Sequence, residues 1–435
     1  MHTQEEIDLL KACGPGTPVG NLLRRYWTPA LLSAEIPDAD SVPVKVKLLH
    51  EDLVAFRDSK GQVGLVAENC PHRGASLYYG RNEEAGLRCI YHGWKFDVNG
   101  QCVDMPSEQR SFADQIRVTA YPTHESGGIV WTYMGPPETM TPFRDFGTED
   151  MPVEHQNADK LFIDCNWVQS LDGDLDAAHV SYLHSYFAMA DIPDDGTDKP
   201  GAYPSADMTQ RLWWFDKAPR LEVEDEWFGY RYAAIRNTPN GNQSVRQYSY
   251  VIPYTSILSG KPYSTRQIMI VPRDDTHCTR FQFETQYVPA GAEFGNDRRS
   301  KTPLRAIAPA ANGVIPRVNT RENEYNYDRD FQRATGYTGL RDSRSQDVLV
   351  TETMGPVFNR ALEHWGTTDV ALVRMHMILI EAARELANGK EPPAVSGDLD
   401  YRSIRGVEKI LSPGEDWRPL GTSEDVDLQG YLTTS

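Results

Sequence analysis

Residues 70–97 read CPHRGASLYYGRNEEAGLRCIYHGWKFD, with sixteen residues between His72 and Cys89. Within this stretch Cys70-Pro-His72 and Cys89-Ile-Tyr-His92 each offer one thiolate and one imidazole. A glycine follows each histidine (Gly74, Gly93) and lets the backbone turn tightly around a bound group. A [2Fe–2S] centre with one iron on two thiolates and the other on two imidazoles needs this donor set. Zinc is the rival reading, but zinc motifs usually leave two to four residues between ligands, and C-x-H is tighter. Cys70, His72, Cys89 and His92 are therefore read as cluster ligands, with Arg73 and Trp94 framing the cluster.

A cluster of this kind only carries electrons, so the chain needs an acceptor. Residues 166–185, NWVQSLDGDLDAAHVSYLHS, contain Asp176-x-x-His179-x4-His184. Non-haem Fe(II) oxygenases hold iron by two histidines and a carboxylate, leaving positions open. Histidines five apart on a regular helix point about 140° apart, so a helix here must be bulged or broken to serve one metal. Gly173 and its short polar neighbours permit that. Chemistry alone leaves the carboxylate open among Asp342, Asp347, Glu352 and Glu363. Asn166 and Gln169, one or two turns before Asp176, are candidates for hydrogen bonds near the site.

Outward from these motifs, the 435 residues carry a formal net charge of -18 with 40% hydrophobic and 24% charged residues. This is globular composition. The acidity argues against nucleic acid and against an anionic membrane surface. An anionic substrate would need local arginines. No apolar run approaches the roughly 18 residues of a membrane span, and the first residues lack a signal-peptide layout. A reducing cytoplasm is the default expectation, and the six scattered cysteines do not suggest a disulfide framework.

Residues 1–40 read as a helical lead-in. Residues 41–140 read as an all-β domain, with turn signals at Glu51-Asp52 and Ser59-Lys60-Gly61. A Pro-rich, acidic stretch at 136–160 suggests a boundary, and 141–435 read as an α+β domain with an antiparallel sheet and long helices. Residues 185–210 read as a mobile loop. In SVRQYSYVIPYTS, alternation puts Arg246, Tyr248 and Tyr250 on one face. A guanidinium flanked by aromatics suits a benzoate-type anion; Arg220 and Arg231 are weaker candidates. No G-x-G-x-x-G motif is present, so electrons from NAD(P)H require a separate reductase.

CPHRGA and CIYHGWKFD resemble the loops of Rieske-type aromatic-ring-hydroxylating oxygenases. Respiratory Rieske proteins carry an extra cysteine in each loop, absent here. GPGTPVGNLLRRYWTPALL, GGIVWTYMGPPE and ETMGPVFNRALEHWGTTDVALVRMH extend the resemblance over nearly the whole chain, to the phthalate 4,5-dioxygenase group. The resemblance implies a Rieske domain followed by a catalytic domain of helix-grip type, with one [2Fe–2S] cluster and one Fe(II) per subunit. His179 and His184 would ligate that iron. Asp347, at the start of a helix 163 residues after His184, would be the third ligand. Asp176 would bridge the two metal centres for electron transfer. It also implies a flavin and iron–sulfur reductase, dioxygen, an aromatic carboxylate substrate, and a homotrimer or stacked-trimer hexamer. The expected activity is ring hydroxylation, with O-demethylation of a methoxylated acid as the alternative.

Overall fold

The computed structural model describes residues 2–148, 156–258, 264–286, 308–395 and 399–422. Helices α1 (Gln4–Lys11) and α2 (Pro18–Leu23) open the chain; Thr3 caps the first and Thr17 the second, with Pro18 at a position that needs no N–H. The helical lead-in ends there, because Thr28–Leu32 is a strand paired with Ile129–Thr132. Between these partners lie two four-stranded sheets. One contains the hairpin Val44–Leu48 and Glu51–Arg57. Its turn falls at Leu49-His50, not at Glu51-Asp52, and both residues have positive φ (50° and 71°). Long-range bonds impose it: Leu49 N–H donates to Pro272 O and His50 N–H to Arg273 O.

The second domain is built on an eight-stranded sheet. In order across the sheet run Gln156–Ile163, His277–Gln286, Ser264–Asp274, Thr255–Leu258, Gln243–Val251, Gly229–Asn237 and Arg220–Glu226, with Glu408–Leu411 also pairing Gln243–Val251. Every pairing is antiparallel. Helix α3 (Trp167–Leu175) comes next in the chain after the first strand, and α4 (Ala206–Phe215) follows. The stretch at 185–210 is therefore partly ordered: a 3-10 turn at Phe187–Asp191 and the first turn of α4. Short α5 (Arg329–Ala334), α6 (Ser343–Thr353) and long α7 (Val370–Ala387) complete the helices. Tyr230 donates to Ala371 O of α7, and Tyr232, two residues on, donates to Leu175 O of α3. Alternation puts both tyrosines on one face, so α3 and α7 share it. Among the described residues no helix is long and apolar enough to cross a membrane.

Candidate metal centres

The two cysteine–histidine segments fold as loops with one hydrogen-bond pattern. Cys70 N–H donates to Ala75 O (2.8 Å) and Gly74 N–H to Cys70 O (2.9 Å); Cys89 N–H donates to Trp94 O (2.8 Å) and Gly93 N–H to Cys89 O (3.0 Å). Gly74 and Gly93 sit at φ 75° and 76°, where a side chain is disfavoured. Cys70 and Cys89 are free thiols buried in a small core with Phe56, Leu77, Leu87 and Phe96. His72 and His92 lie nearer the surface with ring centroids 4.5 Å apart. His92 Nδ1 is buried with no hydrogen-bond partner, as a nitrogen reserved for a metal would be. Sulfur inside and nitrogen outside fits a cluster with one thiolate-held and one imidazole-held iron. Burial pushes the Cys70 thiol up to about 11, so a cation is needed to hold it as thiolate. Trp94 stacks on His72 at 4.2 Å and 7°. Arg73 lies over Tyr91 at 5.5 Å, bridging the two loop tips.

The second constellation is assembled over a longer range. Helix α3 stops at Leu175, and Asp176 is extended (φ -78°, ψ 114°). Asp176 Oδ1 accepts from Ala178 N–H (2.7 Å) and His179 N–H (3.3 Å), and His179–Ser181 forms a separate 3-10 turn. The helix is thus broken where the histidine spacing required it. His179 Nε2 and His184 Nε2 lie 3.2 Å apart. Asp347 Oδ1 is 3.2 Å from His184 Nε2 and 3.8 Å from His179 Nε2. Donor atoms about 2.1 Å from one metal lie roughly 3.0–3.4 Å apart, so two of the three spacings already suit a shared ion and the third, at 3.8 Å, is wider by only a few tenths of an ångström. Asp347 lies in the second turn of α6. Of the other carboxylates, Asp342 caps α6, Glu352 pairs with Arg317, and Glu363 pairs with Arg360.

The charges fit this set. Burial and the neighbouring His184 push the pKa of His179 down. Burial also works against charge on His184, but Asp347 and Gln346 outweigh it and raise its pKa. Burial would raise Asp347, yet the two histidines hold it below the usual carboxylate range. Gln346 is the partner that sequence reading missed. Its Oε1 accepts from His184 Nδ1 at 2.7 Å, while its Nε2 donates to Thr338 Oγ1 and Leu340 O. With both amide protons committed elsewhere, Gln346 leaves the His184 proton on Nδ1 and Nε2 free for a metal. Its only sequence signal is its place beside Asp347. His179 Nδ1 is buried without a hydrogen-bond partner, and Asp176 Oδ2 lies 3.7 Å from it.

A largely apolar cavity of about 570 Å3 adjoins the triad and is walled by Asp176, His179 and Asp347 among others. Gln169 lines it and ties α3 to the end of α6, donating to Thr351 O and Gly355 O and accepting from Phe358 N–H. Asn166 does not reach the cavity. It caps α3 and donates to Lys11 O and Asp275 O. Arg246 is also off the cavity wall. It packs against Trp213 (4.8 Å) and Tyr248 (5.3 Å), with Glu408 3.4 Å from its Nε. Two cations that sequence reading did not single out, Arg280 and Arg344, do line the cavity, each beside an acid: Asp174 at 3.6 Å and Asp159 at 2.8 Å. Arg220 lies beside Glu222 and Arg231 bonds Glu226 at 2.8 Å, both away from the cavity.

Comparison with known proteins supplies the family and the fold class. Residues 26–122 match the Rieske [2Fe-2S] domain, and 132–432 match the domain described as LigXa C-terminal domain like. The phthalate 4,5-dioxygenase oxygenase subunit of Pseudomonas putida is 35% identical over 96% of this chain and 94% of its own length. The 3-chlorobenzoate-3,4-dioxygenase oxygenase subunit of Comamonas testosteroni is 32% identical over 99% of each chain. A crystal structure of dicamba monooxygenase bound to dicamba shares the fold, with TM-score 0.56 and 19% identity over 85% of this chain and 99% of that one. An N-terminal [2Fe–2S] domain joined to a sheet-and-helix catalytic domain, matched end to end by oxygenase subunits, makes this chain a member of the Rieske-type oxygenases, the terminal oxygenase of such a system.

Proposed function

We propose that the protein hydroxylates an aromatic carboxylate at an iron held by His179, His184 and Asp347. The observation that carries this reading is the convergence of those three donors on one point at the wall of a large apolar cavity. Held by Cys70, His72, Cys89 and His92, the cluster would supply single electrons, and the mononuclear iron would supply the dioxygen-activating centre. The chain's own residues bind and orient. The cavity takes the ring and excludes water around it. Gln346 fixes the tautomer of His184. Asp176, against the otherwise unpartnered Nδ1 of His179, would bridge the two metal centres.

The electrons come from a separate NAD(P)H-dependent reductase. The cluster face exposes Ile90 and Tyr91, and the cavity mouth exposes Tyr182 and Tyr337. These patches support a trimer, or stacked trimers, in which one subunit's cluster faces its neighbour's iron. For the substrate's acid group Arg280 is the proposed partner, since it lines the cavity and its acid neighbour Asp174 stays 3.6 Å away. Arg344 bonds Asp159 at 2.8 Å and is less free, and Arg246, the sequence candidate, stands off the cavity wall with Glu408 3.4 Å from its Nε.

The test is product analysis with a surrogate reductase on benzoates, phthalates and methoxylated aromatic acids, each beside its uncharged amide. Oxygenated product from the acids alone, with Arg280→Gln raising KM for the acids and not for the amides, is the expected result. Equal turnover of acids and amides defeats the carboxylate reading. Asp176→Asn keeps the Oδ1 acceptor for Ala178 N–H while removing the charge. It should retain both metals and slow electron transfer by orders of magnitude; unchanged turnover removes the bridging role.

A further inference from the structure

A third cluster of metal-binding donors lies apart from both centres. Cys13 Sγ, His50 Nε2 and a carboxylate oxygen of Asp275 lie within 4.8 Å of one another. They come from three places: the segment after α1, the turn of the first domain's hairpin, and the turn between Ser264–Asp274 and His277–Gln286 of the catalytic sheet. Asn166 draws two of these parts together through Lys11 O and Asp275 O.

Protons alone do not satisfy the contacts. His50 Nε2 is 2.8 Å from Asp275 Oδ1, while Asp275 N–H points at the same Nε2 from 3.1 Å. If Nε2 carries a hydrogen, it opposes the backbone N–H. If it does not, two lone pairs face each other at 2.8 Å. Oδ1 is also the acceptor for Cys13 N–H (2.9 Å) and the Cys13 thiol (3.4 Å). A cation between Sγ, Nε2 and Oδ1 turns the closest contact into shared coordination. The turn that presents His50 points the same way. Two-residue hairpin turns with positive φ at both positions favour Asn-Gly, and a residue with a Cβ is disfavoured there. Leu49 and His50 occupy it nonetheless, held by their bonds to Pro272 O and Arg273 O, and this sets His50 beside Asp275.

We propose that Cys13, His50 and Asp275 bind one zinc ion that clips the N-terminal segment and the two domains together. One thiolate, one carboxylate and one neutral imidazole match zinc's preferred donors and its charge. Zinc-bound neighbours lie about 3.3–3.6 Å apart, so the 3.4 Å contact is already in range, the 2.8 Å contact opens by roughly half an ångström, and Sγ and Nε2 lie within 4.8 Å. His50 and Asp275 are about one-third exposed (35% and 39% of the side chain), which leaves a side open for ion entry and a water as fourth ligand. Binding replaces the S–H bond of Cys13 with S–Zn and releases one proton to solvent.

The experiment uses holoenzyme loaded with cluster and iron, incubated with zinc, desalted and analysed for zinc, iron and sulfide. Cys13→Ser and His50→Asn are compared with the parent; asparagine tolerates the left-handed turn, so the hairpin is kept. The parent should hold one more zinc per chain than either variant, with iron and sulfide equal in all three. The variants should bind zinc at least about 100-fold more weakly, beyond the effect of losing a mere supporting contact. The parent should also release close to one proton per zinc. Equal zinc in parent and variants, or zinc gained only as iron is lost, overturns the proposal.

Discussion

The two iron-binding regions reach their geometry by opposite routes. The cluster loops are local: both lie within residues 70–94, repeat one hydrogen-bond pattern, and share a small core of their own. The mononuclear triad spans residues 179 to 347, on a broken helix end, a loop and the second turn of α6. Loop turns are decided by a few residues of backbone chemistry, whereas the triad depends on how α3 and α6 pack. A local site should therefore fail residue by residue, and a long-range site should fail through its supports as well.

The comparison breaks most visibly when one ligand is removed from each region. Asp347→Ala should abolish iron retention and turnover, a loss exceeding about 100-fold, with the visible absorption and sulfide content of the cluster unchanged. Cys89→Ala should do the reverse, bleaching the cluster while His179, His184 and Asp347 still take one divalent ion. Loss of both centres in either variant would mean that the regions fold as one unit. Gln346→Leu probes the supports alone. The change keeps the side chain's bulk but frees the His184 Nδ1 proton, so iron affinity should fall by about 10–100-fold, read from retention against a chelator series. Unaltered retention would remove Gln346 from the site.

The same contrast explains what could be read before the structure. Both loops were legible because Cys70, His72, Gly74 and their counterparts carry donors and turn signals in one short string. That the helix must break was legible too, since two histidines five apart cannot share a metal on an intact helix, but the break falls at Asp176 while Gly173 stays within α3. Gln346 was not, because any polar residue beside Asp347 reads as an ordinary helix face. Asn166 shows the converse: its closeness in sequence to Asp176 suggested the cavity, but it caps the far end of α3 from Asp176. The Leu49-His50 turn was hidden for a tertiary reason, as its bonds go to Pro272 and Arg273, over two hundred residues away. The first turn of α4 was hidden by the Asp, Gly and Pro ahead of it, although Ser205 caps it through Met208 N–H.

The finest test lies within the local region, between its two glycines. Both sit in the left-handed region, so alanine at either carries a backbone penalty of roughly 1–2 kcal/mol. At Gly74 that is the whole cost, because a Cβ there meets nothing within 4 Å. At Gly93 a Cβ would lie 2.8 Å from Pro106 Cγ, and a proline ring cannot swing aside as a flexible chain end does. Crowding of this kind adds about 1–3 kcal/mol. Urea midpoints followed through cluster absorption should therefore fall for both Gly74→Ala and Gly93→Ala, and further for Gly93→Ala. Equal losses would show that backbone conformation alone governs the loops, and a larger loss at Gly74 would mean that a bound cluster crowds that loop more than the protein crowds the other.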